Sequence, residues 1–128
     1  MKRLSLLSVY VENQDAAIEF YSKKLGFVLV EDVPFGASRW VTLRFPDDDI
    51  ISITLNLAQT PQDQALVGKQ GGSQPFFSIT TDDCLREYRR MKDAGVTLHG
   101  EPKAEPYGTG VTLEDLYGNK IYMNQEPR

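Results

Sequence analysis

The stretch from Leu4 to Phe27, LSLLSVYVENQDAAIEFYSKKLGF, limits what this chain can become more than any other, because strand, turn, helix and stop follow one another without interruption. Leu7, Val9 and Val11 alternate with Ser8 and Tyr10, so a strand here has one dry side and one mixed side. Beyond it, Ala17, Ile18, Tyr21 and Leu25 recur at three- and four-residue steps while Glu19, Lys23 and Lys24 point elsewhere, which predicts an amphipathic helix able to cover the dry side. Asn13 or Asp15 can cap its start. Gly26 can end it at a positive φ that costs glycine little.

The pattern continues through three further strands and then restarts. Phe27 to Val33 reads as a strand stopped by Pro34 and a turn at Gly36; Ser38 to Phe45 alternates Trp40, Thr42 and Arg44 against Val41, Leu43 and Phe45. After the turn Asp47-Asp48-Asp49, Ile50 to Leu57 places Ile51, Ile53, Leu55 and Leu57 on one side and Ser52, Thr54 and Asn56 on the other. Ala58 to Gln74 is polar and glycine-containing, and reads as a linker or loop with one helical turn near Ala65-Leu66. Pro75 to Thr81 is then a strand, Asp82 or Asp83 caps a helix bearing Leu85, Tyr88, Met91 and Lys92, and Gly95 ends it. Short strands follow at Val96 to His99, Gly108 to Leu113 and Lys120 to Asn124, the last after a turn at Tyr117-Gly118-Asn119. One α+β domain over 1–128 is expected, made of module one at about 1–57, a linker at about 58–74 and module two at about 75–128.

A net charge of −4 and a pI near 4.9 argue against nucleic acid and anionic membrane as partners, since phosphate binding needs a concentrated basic face. No apolar run approaches the ~20 residues of a bilayer span. Cys84 is the sole cysteine, which excludes an intramolecular disulfide and fits a reducing compartment. Together with strand alternation beginning directly after Met1-Lys2-Arg3, where a leader would need an unbroken apolar run, this makes the cytoplasm the expected location. Cys84 falls where the second helix begins, a position that can lower a thiol pKa, but no nucleophile signature surrounds it.

Each module has one helix for one sheet, so one sheet face is left over. Its residues are Leu6, Ser8 and Tyr10; Trp40, Thr42 and Arg44; Ser52, Thr54 and Asn56; Phe76, Ser78 and Thr80; and Lys120, Tyr122 and Asn124. Rings among hydroxyls, amides and a few cations suit a small-molecule surface; a plain solvent side of a sheet would also be rich in Ser, Thr and Lys.

The run YVENQDAAIEFYSKKLGF, the doubled strand-helix pattern and the ending LEDLYGNKIYM closely resemble the glyoxalase, bleomycin-resistance and extradiol-dioxygenase superfamily, the vicinal oxygen chelate proteins. The resemblance covers nearly the whole chain. It implies paired βαβββ modules forming a U-shaped cup, in a homodimer. It also implies, for the members that do chemistry, a divalent metal held from the first and last strands of a module. Matched by motif, those positions are Leu6 and Thr54 in module one and Phe76 and Tyr122 in module two. A catalytic divalent site needs around three ligands from His, Cys, Asp or Glu, so no metal and no cofactor is expected.

His99 is the only histidine and cannot replace that set; Glu114 and Asp115 are adjacent, so a strand sends them to opposite faces, and Asp115 is assigned to the turn into Gly118. The leading expectation is a metal-independent binder of a small, partly aromatic ligand, sequestering a drug or metabolite. Trp40, Phe76 and Tyr122 would stack on the ligand and Arg44, Thr54 and Asn56 would hydrogen-bond it. The alternative is a lyase, isomerase or dioxygenase-like enzyme acting on an oxygen-rich metabolite with Tyr122, Lys120 or Glu114 as acid or base; a third reading pairs the open sheet face with another protein.

Overall fold

Two helices each shield one face of a four-stranded sheet, and everything else in the chain is arranged around that pairing. The computed structural model describes residues 1–127 and divides them into two units, meeting in sequence at Val67 and Gly68. The first contains β1 (Leu6–Val11), α1 (Gln14–Glu19) continuing as a π-helical segment (Phe20–Lys24), β2 (Val28–Phe35), β3 (Ser38–Arg44), β4 (Ser52–Leu57) and α2 (Pro61–Gln64). The second contains β5 (Phe77–Thr80), α3 (Cys84–Asp93), β6 (Leu98–Glu105), β7 (Gly108–Glu114) and β8 (Lys120–Gln125). Strand order is β1-β4-β3-β2 in one sheet and β5-β8-β7-β6 in the other, with the first and last strand of each module parallel and the remaining pairs antiparallel.

Asn13 caps α1 by accepting from the Ala16 amide at 2.9 Å, and Asp83 caps α3 by accepting from the Arg86 amide at 3.1 Å. Gly26 and Gly95 follow the two helices at φ 86° and 84°, conformations in which a Cβ would be strained. The dry face of the first sheet is Val9, Val11, Val41, Leu43, Ile53 and Leu55, closed by Ala17 and Tyr21; each side chain so buried contributes about 1.5–3 kcal/mol. In the second, Cys84, Tyr88 and Met91 of α3 are buried, as are Val111, Leu113, Ile121 and Met123 on the strands. The Ser22 hydroxyl donates to the Ile18 carbonyl at 2.6 Å, and this back-bond sits where α1 widens into its π-helical turn.

Several boundaries differ from the sequence expectation. β2 runs through Pro34 to Phe35, which an edge strand tolerates because the missing amide removes no central ladder bond. β6 runs from Leu98 to Glu105 rather than stopping at His99, passing Gly100 and Pro102 through a register shift between His99 and Lys103. β4 begins at Ser52, and the helical turn after it lies at Pro61–Gln64 rather than at Ala65-Leu66 because Thr60 caps it, accepting from the Asp63 amide. Later in that stretch the Gln70 amide donates to Asn119 Oδ1 at 3.2 Å.

The turn before β8 is organised by Asp115, as the sequence suggests. Its buried carboxylate accepts from the Tyr117 and Asn119 amides and from Asn119 Nδ2, all at 2.9 Å. Replacing it strands three donors, so Asp115→Ala is expected to cost about 2–4 kcal/mol of stability, read from the midpoint of a urea unfolding curve.

Candidate ligand-binding site

With α1 and α3 occupying one face of each sheet, the pleat sends every second side chain to the other. In the first unit, register makes two rows across the uncovered face. One row is Ser8, Thr54, Thr42 and Glu31; a neighbouring row includes Tyr10, Asn56, Trp40 and Val33. Trp40, Arg44, Thr54 and Asn56 therefore share this face, as the alternation predicts. Thr42 and Thr54 are each only 1% exposed and lie at the middle of the sheet. The Thr54 hydroxyl donates to Asn56 Oδ1 at 3.2 Å, and Arg44 Nη1 donates to the Asp48 carbonyl at 3.3 Å. Phe35 meets the Trp40 ring edge-on, with centroids 6.0 Å apart. Tyr10 bonds Asp63 of α2, whose charge, ahead of burial, holds the phenol pKa above its ordinary value.

Glu31 was not among the residues singled out from the sequence. Its Oε1 accepts from Trp40 Nε1 at 3.3 Å and from the Thr42 hydroxyl at 3.1 Å. A register shift between Leu29 and Glu31 puts Glu31 on the uncovered face and sends Asp32 to the helix face, where it pairs with Arg39 at 2.8 Å. Gln14 is the other residue that escaped the sequence reading. From the first turn of α1 its Nε2 donates to the carbonyls of Arg39 and Leu55, at 2.8 and 2.9 Å, bridging β3 and β4 on the buried side.

In the second unit the corresponding row is Ser78, Tyr122, Thr112 and His99. Tyr122 lies across Gly110, where a Cβ would occupy the space of the phenol. Burial, reinforced by Tyr107, raises the Tyr122 pKa. Asn124 Oδ1, two residues along β8, is buried without a hydrogen-bond partner among the described residues. Phe76 stands one residue ahead of β5, its amide bonded to the Lys120 carbonyl at 2.7 Å and its ring centroid 5.7 Å from that of Phe77. His99 Nε2 and Glu114 Oε2 are 2.6 Å apart, an imidazole–carboxylate pair that the bare sequence gave no reason to join.

Leu6, Thr54, Phe76 and Tyr122 do not fit a divalent metal: two are hydrocarbon, and neither hydroxyl is a ligand of the usual His or carboxylate type. Among the described residues, no three His, Cys, Asp or Glu side chains are grouped so as to hold an ion. Cys84 is buried, and desolvation raises its pKa, with Asp83 adding to the effect.

Residues 3–123 match the model of the Glyoxalase/Bleomycin resistance protein/Dioxygenase superfamily. The chain belongs to that superfamily. Its two βαβββ modules are the glyoxalase/bleomycin-resistance fold, also seen in a superfamily member from Sphaerobacter thermophilus at TM-score 0.80. The chain is 36% identical to the protein YurT of Bacillus subtilis, over 97% of this chain and 99% of that one. UcmS2 superposes with a TM-score of 0.85 at 30% identity, covering 97% of this chain and 98% of that one. TnmS3, an antibiotic binding protein from Streptomyces sp. CB03234, superposes with a TM-score of 0.84 at 29% identity, covering 99% and 98%. No helix among the described residues is long and apolar enough to cross a membrane.

The raised phenol pKa values of Tyr10 and Tyr122 have a consequence above neutrality. Folding favours the neutral phenols, so this stabilisation is full below the unfolded value of about 10 and is lost as pH rises through the folded values. An ultraviolet titration of the folded protein should show a late phenolate phase, and Tyr122→Phe should diminish it.

Proposed function

We propose that this protein binds a small, partly aromatic molecule, an antibiotic or a metabolite, on its uncovered sheet faces without a metal ion, and so sequesters it. The observation that carries the reading is the uncovered face of the first sheet, where the Trp40 indole is hydrogen-bonded in place beside buried Thr42 and Thr54. An apolar ring with a few oriented polar groups is the usual make-up of a ligand surface. Arg44, Thr54 and Asn56 would supply polar contacts there, and Phe76 and Tyr122 rings for stacking on the second sheet. The antibiotic-binding relative TnmS3 supports the same ligand class.

The experiment is calorimetric titration with a panel of aromatic antibiotics. A bound member should lose about 10- to 100-fold in affinity with Trp40→Ala, the value of one buried ring, and nothing on dialysis against chelator. Undiminished affinity in Trp40→Ala would remove the reading; loss on chelation would remove metal independence.

A homodimer in the cytoplasm completes the proposal. β2 is an edge strand on which Val28, Leu29, Val30, Val33 and Phe35 are all exposed, distributed over its two faces, an apolar edge suited to burial against a second copy. Sedimentation at micromolar concentration should give twice the chain mass.

An enzyme of the same superfamily is the second reading, favoured by the His99–Glu114 pair, which resembles an oriented acid/base. The mass of a ligand released after prolonged incubation separates the two: an unchanged mass supports binding alone, and a changed mass supports turnover.

A further inference from the structure

The carboxylate of Glu31 carries a more specific conclusion, which rests on the reading of the Trp40 face as a ligand surface. Both donors that reach Glu31, the Trp40 indole and the Thr42 hydroxyl, are bonded to the same oxygen, Oε1. Oε2 has no hydrogen-bond partner among the described residues, and Glu31 takes part in no ion pair there. Arg44, a cation on the same face, is turned to the Asp48 carbonyl instead. Arg39, the other cation of β3, lies on the helix face and is engaged by Asp15 and Asp32. A carboxylate with one oxygen bonded to two donors, and the other without a partner among the described residues, thus stands beside the indole.

The backbone shows how it comes to be there. Strict alternation from Val28, which pairs with Arg44, would put Val30 on the uncovered face and Glu31 on the helix face. The shift between Leu29 and Glu31 leaves Val30 out of the register and sets Glu31 opposite Thr42 on the uncovered face, and bulges of this kind are a common means of aiming a side chain at a site. Glu31 is exposed, yet its carboxylate is held by two donors across a bulge.

We propose that Glu31 determines ligand specificity: its free Oε2 accepts from a protonated amine on a planar aromatic ligand whose ring system lies against Trp40. The pairing is a charge-assisted hydrogen bond, which an alcohol matches only weakly and a carboxylate reverses into repulsion. Glu31 also acts as a positioning residue, since the bond to Nε1 sets the orientation of the indole.

Trp40 is the only tryptophan, so its indole N–H gives a single cross-peak in a nitrogen–proton correlation spectrum, and that peak reads the site directly. Three probes share one ring and differ in one group: 1-naphthylmethylamine, 1-naphthylmethanol and 1-naphthoate. The amine should bind wild type about tenfold or more tightly than the alcohol, and the naphthoate more weakly still. Glu31→Gln keeps an oxygen for Trp40 and Thr42 but loses the charge, so it should weaken the amine by about the same factor and leave the alcohol unchanged. Glu31→Ala should also shift the indole peak in the free protein, whereas Glu31→Gln should shift it little.

If all three probes bind wild type alike, or if Glu31→Gln binds the amine as tightly as wild type, the specificity assignment falls while the aromatic-binding reading stands. If none of the probes moves the indole peak, both fall. A chemical-shift spectrum still resembling that of wild type shows that each variant is folded.

Discussion

The packing of a single helix against one face of a four-stranded sheet governs the rest of this molecule. Ala17 and Tyr21 close over Val9, Val11, Val41 and Leu55, while the opposite face meets the single turn of α2, whose Asp63 bonds Tyr10. Because a strand alternates strictly, committing Val9 and Val11 to the helix commits Ser8 and Tyr10 to the other side. The same holds in the second unit, where Ile121 and Met123 are buried and Tyr122 and Asn124 are turned away from them. A two-residue period and an amphipathic helix therefore generate a patterned surface without any further design.

That surface differs between the two units in ways that matter chemically. Glu31 and His99 occupy corresponding positions, each paired across the edge with a threonine, Thr42 in one case and Thr112 in the other. The first is bonded to an indole and a hydroxyl, and the second to Glu114. Where Trp40 fills the first sheet, the matching place in the second is Gly110, which leaves room for the Tyr122 phenol. Different residues at such rows give each module its own set of polar groups.

Burial also decides chemistry in places where composition is silent. Cys84 stands at a helix start that can activate a thiol, yet its surroundings desolvate it and hold it protonated. Gln14, a residue that reads as part of a polar turn, instead crosses the splay between β3 and β4 and satisfies two carbonyls at once. Leu6, Thr54, Phe76 and Tyr122 carry no charge, and none of the four is a divalent-metal ligand of the usual His or carboxylate type.

The order of strands and helices, a cap at Asn13 or Asp15 and another at Asp82 or Asp83, the stops at Gly26 and Gly95, and the division of Trp40, Arg44, Thr54 and Asn56 from Val41, Leu43, Ile53 and Leu55 were legible in the amino-acid pattern, because each rests on local periodicity or on the conformational preference of one residue, and the structure chose Asn13 and Asp83. The full reach of β2 and β6 was not, since Pro34, Gly100 and Pro102 look like stops until a neighbouring strand is present to pair with. Which of Glu31 and Asp32 faces the indole was equally hidden: adjacent acids look alike in a sequence, and a one-residue register shift inverts their faces. Local rules thus determined the scaffold, while partners distant along the chain, Thr42 for Glu31, Glu114 for His99 and Leu55 for Gln14, became visible only in three dimensions, because pairing register is a property of two strands and not of one.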